Sequence, residues 1–496
     1  LIMRFPLLTI IIFLPILGGF LALASSRRPL LCRWISLIIS LIELGLVMLP
    51  FFLDLKPQTD VVGTWLLTED VPWIKSLGIR YTLGMDGLSQ ALIALTGFLQ
   101  VPCVLVSWKQ INSRVGAFHF FLLFTQSAIM GVFLAEDLFL FYLFWEAQLI
   151  PVFFLIGIWG HSERIHATLK FFLFSIAGSL LMLIAIIGLY LIHGSQTGVY
   201  TFSLSELMSV SLSDNIEFLL YAAFLLSFAI KVPVIPVHTW LPDAHTQAPT
   251  AGSVDLAGLL LKTGPYALFR IAIPLFPTAA KLSMPFMVTL GLAGLFYASW
   301  VALSQSDIKR LVAYSSIAHM GLVIIGLGIW DAMTLNGAFL QMINHGVSTS
   351  ALFIMIGMLG ERVDSRAFAD IGGLWKKMPV FSAFFLFFAM AAAGLPGLNN
   401  FVGEILILVG SLRSNALVGV LAFAGMVFTL AYVLRMVRRA LFGHTINEHL
   451  LWDLTSREIV VLVVPALAIL LLGLHPDPVL SLFKGAVNHA LAHTPF

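Results

Sequence analysis

The chain has 496 residues, of which 59% are hydrophobic and 10% charged, with a formal net charge of +2. Soluble domains carry about 25% charged residues, so this composition excludes a soluble globular enzyme and indicates an all-α polytopic membrane protein. The near-neutral balance leaves no electrostatic footprint for nucleic acid. Two isolated cysteines, Cys32 and Cys103, form no CxxC pair, and neither GxGxxG nor a P-loop is present. No metal, disulfide framework or cofactor site is therefore expected in this chain.

A spanning helix needs about 20 apolar residues. On that rule about fourteen segments are expected: 5–24, 32–53, 84–107, 117–134, 137–159, 167–192, 217–239, 251–273, 284–304, 308–328, 332–359, 379–409, 416–440 and 459–474. The first resembles a signal peptide, with Arg4 before it and Ala22-Leu23-Ala24 at its end. Arg27, Arg28 and Arg33 follow at once, the wrong flank for export, so it reads as a transmembrane helix. Residues 54–83 read as an extramembrane hairpin or loop, and 443–458 as a second polar connection. Only a short tail is expected after the last span.

Lysine and arginine alternate between connections, with about twice as many on one side as on the other. The positive-inside rule puts the richer side in the cytoplasm and both termini in the periplasm of a cell inner membrane.

Residues 224–270 carry two intramembrane lysines, each followed by a proline: Lys231 with Pro233, and Lys262 with Pro265. A mid-membrane charge costs at least ~2.5–3.5 kcal/mol on insertion scales. Proline removes a backbone donor and frees carbonyls that need partners. Two interrupted helices with an ionisable interior are expected there. A similar break is expected at GLPGLNNFVGE (394–404), and the likeness to 231–243 suggests repeated halves.

Six ionisable side chains fall well inside spans: Glu146, Lys231, Lys262, His319, His345 and Glu404. Burial and opposite charges pull a carboxyl or an ammonium in opposing directions, and histidine titrates near neutrality. Such groups at similar depth make a proton relay. Glu146 is expected to pair with Lys231, and the other four to continue the relay. Taken singly, each has a blander reading: a histidine as a packed, hydrogen-bonded residue, Glu146–Lys231 as a structural ion pair. Asp86, Asp255 and Lys309 lie near expected helix ends and read as capping or interfacial groups. His238, Asp243 and His245 flank the Trp240-Leu241-Pro242 turn and are a candidate proton-uptake point or a solvated loop.

Four stretches carry a resemblance: Phe144-Trp145-Glu146, HTWLPDAHTQAPT (238–250) running on to Lys262, DIKRLVAYSSIAHMG (307–321), and GLPGLNNFVGE. The chain resembles the antiporter-like membrane subunits of respiratory complex I, the proton-pumping NADH:quinone oxidoreductase, over nearly its whole length. Glu404 matches the subunit type that carries glutamate where its sisters carry lysine. The resemblance implies two inverted five-helix repeats, at 117–273 and 284–440. Three N-terminal helices (1–116) precede them, and a loop, last helix and tail (441–496) follow. It implies that the six residues form the proton relay. It implies no cofactor in this chain, with NADH, FMN, iron–sulfur clusters and quinone handled by partner subunits. Those partners would be a peripheral redox arm, other membrane-arm subunits including two sister antiporter-like chains, and lipids. A multi-subunit sodium/proton antiporter is the alternative, since it shares the WLPDAH segment.

Overall fold

The computed structural model of the chain describes residues 6–363, 365–443, 452–494 and 496. Among these, twelve helices are long and apolar enough to cross a membrane. They differ in surroundings. Pro29–Phe52 and Ser456–Leu474 are mostly exposed, and their outward leucines and valines face what would be lipid. Thr250–Leu275, Ile308–Ile329 and Ala332–Val363 are almost wholly buried. The ionisable groups concentrate on this inner set, because only there can other polar groups meet them.

The two remaining expected segments, 217–239 and 379–409, are broken. Asp214–Lys231 ends before Pro233, and the chain turns helical again at Trp240–Gln247. Val234 N donates to Ala229 O (2.8 Å), and the Ile230 carbonyl takes the indole N–H of Trp240 instead (2.9 Å). Pro379–Ala392 likewise ends at a turn and resumes at Asn399–Ser414. The turn runs through Gly394 and Gly397, at φ +71° and +90°, a region that favours glycine. Asn399 and Asn344 exchange side-chain bonds to each other's carbonyl (2.9 and 2.6 Å), which pins the restarted helix to Ala332–Val363.

Lys262 departs from expectation. No break occurs there: the chain stays helical through Pro265, with π-helical turns at Leu256–Leu260 and Leu268–Ala272 on either side. The wider turns absorb the proline that would otherwise clash with the preceding carbonyl.

Residues 54–83 form two antiparallel ribbons, Gln58–Thr59 with Thr64–Trp65, and Leu67–Ile74 with Ile79–Met85. Glu69 of the longer ribbon caps the first helix, accepting from Leu8 N (2.7 Å) and Thr9 N (3.2 Å). The short tail expected after the last span is instead a helix, Asp477–His493. Its Phe483 is buried, and Trp330 Nε1 donates to Thr494 O at its end (2.9 Å). At 17 residues, with polar groups throughout, it lacks the apolar run used to detect spans. Half of the 443–458 connection, at 444–451, lies outside the described residues.

Helices Pro277–Ser304 and Ile308–Ile329 cross where glycines meet. A β-carbon at Gly291 would stand 2.7 Å from Gly321 O. Small residues at such a crossing let backbones approach and pack by dispersion, the usual source of cohesion between helices in lipid.

Candidate functional site

Four of the six expected residues form a buried line. Lys262 Nζ donates to Ala257 O and lies 2.7 Å from His345 Nδ1. The His345 and His319 rings stand 5.4 Å apart, centroid to centroid. His319 Nδ1 lies 3.4 Å from Glu404 Oε1. All four are at most 3% exposed. They come from four segments: the π-flanked helix, Ala332–Val363, Ile308–Ile329, and the restarted Asn399–Ser414.

A fifth group, Gln341, was not foreseen. Its Nε2 lies 3.4 Å from both His319 Nδ1 and Glu404 Oε1. It sits four residues before His345, on the same face of one helix, and that spacing was the signal in the sequence. Each histidine leaves Nε2 without a protein partner among the described residues. Each ring thus has one nitrogen in the line and one still able to exchange a proton.

Glu146 and Lys231 are brought to the same region but form no direct ion pair. Lys231 is buried with its Nζ unpartnered, 5.1 Å from the Trp145 ring centroid. Glu146 is partly exposed, beside Ser179, with Oε1 unpartnered. The indole face of Trp145 attracts the ammonium. Gly264, two residues past Lys262, packs against Phe228 O and Val232 on either side of Lys231, so the two lysine-bearing helices are direct neighbours.

The candidate uptake residues divide. The Trp240-Leu241-Pro242 turn is the first turn of helix Trp240–Gln247, not a loop. Asp243 is held between Lys170 Nζ (2.7 Å) and Arg310 Nη1 (3.0 Å) and keeps some exposure. His245 is fully buried, stacked on Phe353 at 4.7 Å, with both ring nitrogens unpartnered. His238 is buried edge-on to Tyr297 at 5.2 Å. Only Asp243 of the three touches the surface.

The residues read as capping or interfacial also divide. Asp86 caps helix Gly87–Gln110 through Ser89, and it also pairs with Arg270 in the interior. Lys309 Nζ is buried and donates to Ala248 O (2.6 Å). Asp255 is not interfacial: it is 1% exposed, with Oδ1 3.6 Å from Cys103 Sγ. The helix periodicity hides this, because Asp255 lies in a span, Thr250–Leu275, whose every side is covered.

Residues 135–429 match the family described as "NADH:quinone oxidoreductase/Mrp antiporter, TM". A relative from Pseudomonas aeruginosa, NADH-quinone oxidoreductase subunit M, is 46% identical over 488 residues, covering 96% of each chain. A chain in the structure of respiratory complex I from Thermus thermophilus with bound NADH superposes with a TM-score of 0.88. It is 29% identical, over 98% of this chain and 99% of that one. A chain of the Mrp complex from Dietzia shares the fold, with a TM-score of 0.81 at 23% identity, but only 52% of that chain is covered.

Proposed function

The chain belongs to the NADH:quinone oxidoreductase/Mrp antiporter membrane family, and on that premise we propose that it moves protons across a membrane as a subunit of a respiratory NADH:quinone oxidoreductase. End-to-end similarity to subunit M favours this over the sodium/proton antiporter reading, since the Mrp likeness spans about half of its counterpart. Redox chemistry belongs to partner chains carrying NADH, FMN, iron–sulfur clusters and quinone. The other neighbours are sister antiporter-like chains and lipid. The relay lies between two five-helix repeats, 117–273 and 284–440, in an inner membrane with both termini on the periplasmic side.

One observation carries the reading: the buried polar line Lys262–His345–His319–Glu404, with Gln341 alongside, whose two histidine rings stand 5.4 Å apart without a direct hydrogen bond. Lys262 hands a proton to His345 Nδ1. Imidazole accepts at one nitrogen and releases from the other, so the proton passes to His319 and then to Glu404. Gln341, with its amide donor between His319 and Glu404, holds the last two in register. Lys231 acts as the trigger. Two ammonium groups about 8–10 Å apart would repel by roughly 2 kcal/mol at an effective dielectric of about 20. That changes a proton equilibrium by more than about tenfold. Lys231 moving off Trp145 toward Glu146 relieves the repulsion, and its return restores it.

The test replaces Lys262 by Ala and Glu404 by Gln in the assembled complex and measures NADH-driven acidification in membrane vesicles. Assembly and NADH:quinone turnover are the controls. Acidification per NADH is expected to fall in both variants. Unchanged acidification with normal assembly would overturn the reading.

A further inference from the structure

The chain buries one more carboxyl, outside the line. Glu43 lies in helix Pro29–Met48 and has no exposed surface. Neither carboxylate oxygen meets a donor among the described residues. Its helix presents Cys32, Ser36, Ser40 and Glu43 on one buried face. Ser36 and Ser40 hydroxyls donate to their own helix, to Cys32 O (2.9 Å) and Ser36 O (2.8 Å), so they leave Glu43 unanswered.

The packing points to what faces it. A β-carbon on Gly97 would lie 2.8 Å from Val47 and 3.5 Å from Leu44 Cα. The two helices run antiparallel, since one enters the ribbons and the other leaves them. One turn back from Val47 therefore lies level with one turn on from Gly97, which puts Glu43 and Gln100 at the same level of the two helices, with no hydrogen bond between them. Gln100 is fully buried with both amide atoms unpartnered. Gln126, on the adjoining helix Val115–Leu134, is in the same state. Of the charged groups of these three helices and their caps, Arg28, Arg33, Lys109, Arg114 and His119 lie toward the other membrane face, and Asp86, at the end nearer Glu43, is taken up by Arg270. At that other face Arg33 is taken up by Ile111 O and Asn112. Among the described residues no cation pairs with Glu43. An ionised carboxylate at this position would be an unpaired charge in an apolar bundle, whereas a carboxylic acid can donate to a glutamine carbonyl and accept from its amide.

The next turn of the Gln100 helix reaches the relay. Cys103 Sγ lies 3.6 Å from Asp255 Oδ1, and Asp255 Oδ2 is unpartnered. Asp255 stands two turns before Lys262 in one helix.

We propose that Glu43 is a proton-holding group from which a lateral branch, ordered by Gln100, leads through Asp255 to Lys262. The species transferred is H⁺, which leaves a carboxylate at Glu43 and neutralises one at Asp255. The branch rests on the relay proposed above. It gives the N-terminal three-helix bundle, which lies outside the two repeats, a part in proton supply.

Glu43→Gln keeps the shape and hydrogen bonding but cannot release a proton. In the assembled complex it is expected to retain NADH:quinone turnover, to lower acidification per NADH, and to remove one carboxylic C=O stretch from the infrared spectrum. Glu43→Asp is expected to restore acidification. Unchanged acidification in Glu43→Gln, or no missing carboxylic band, overturns the proposal. Should Glu43→Gln fail to assemble, Gln100→Leu is read instead: a shifted carboxylic band with lower acidification supports the branch, and an unchanged band overturns it. Lys262→Ala run alongside separates the two proposals. Acidification intact in Lys262→Ala sinks the relay; acidification lost there but intact in Glu43→Gln sinks only the branch.

Discussion

Gly394 presses directly on the Glu404 carboxylate: a β-carbon built on Gly394 would stand 2.3 Å from Glu404 Oε2. The break in the helix thus does more than end it. It places bare backbone where the terminal acid of the line must lie, and the φ of +71° there favours glycine.

Gly394→Ala is therefore expected to do two things. The left-handed conformation costs an L-residue about 1–2 kcal/mol, and the methyl group pushes Glu404 away from His319 and Gln341. Gly397→Ala carries a similar backbone cost, at φ +90°, but its β-carbon meets open space. Both variants are expected to lower the melting temperature of the complex, while acidification per NADH falls only in Gly394→Ala. Equal acidification in the two would disprove the contact's importance.

Asp86 and Arg270 form a buried ion pair, with Arg270 also over the Trp65 ring at 5.0 Å. Removing one partner of such a pair costs about 3–5 kcal/mol, because the other charge is left uncompensated. Asp86→Asn is expected to reduce the amount of this chain in purified complex severalfold. The double variant Asp86→Leu, Arg270→Met is expected to recover part of the loss. A double variant no better than the single one would show that capping of Gly87–Gln110, not charge, dominates.

These residues also mark where the sequence was and was not readable. Hydrophobic run length placed the continuous spans well, because a bilayer imposes one length on every crossing. Pro233 and Pro396 announced the two breaks, since each removes a backbone donor inside an apolar run, whereas Pro265 announced a third that the π-helical turns absorb. The six ionisable residues stood out because charge in an apolar run has few benign causes. Partnership was not readable. Whether Lys231 meets Glu146 or Trp145, and whether Asp86 caps or pairs, depends on helix rotation and on residues far away in sequence. Gln341 was passed over because an amide carries no charge signal; Glu43, midway along the expected span 32–53, carried the same signal as the six and was missed. The C-terminal helix escaped notice because its Phe483 and Val487 face is too short to register as a span.

The Arg80 guanidinium, bonded to Asp70 (Nε to Oδ1, 2.9 Å), holds the Asp70 carboxyl below its ordinary range. A depressed carboxyl contributes stability that is present above its unfolded value, about 3.9, and lost as pH falls through the folded value. Both side chains are more than a third exposed, and surface pairs of this kind contribute about 0–1 kcal/mol. Asp70→Asn is accordingly expected to leave assembly and acidification unchanged at neutral pH. It should only blunt the loss of stability in acid, read as melting temperature against pH. A large effect at neutral pH would mean that the ribbon has a role beyond its own folding.

Gln341 offers the sharpest test of how the line works. Its amide nitrogen is 3.4 Å from both His319 Nδ1 and Glu404 Oε1, so it orders the two without carrying a proton itself. A β-carbon at Gly403 would stand 2.6 Å from its Oε1, so the amide is also confined from the far side. Gln341→Leu keeps the volume and removes the donor. His319 and Glu404 then meet without a fixed bridge, and the last transfer slows. Acidification per NADH is expected to drop while assembly and electron transfer stay near normal. Gln341→Glu should be worse, since a second carboxylate beside Glu404 raises the cost of ionising either. The order of effects, Glu below Leu below the native chain, distinguishes a bridge from simple packing. A packing residue would tolerate Glu, nearly isosteric with Gln, better than Leu, and that reversed order would discard the bridging role.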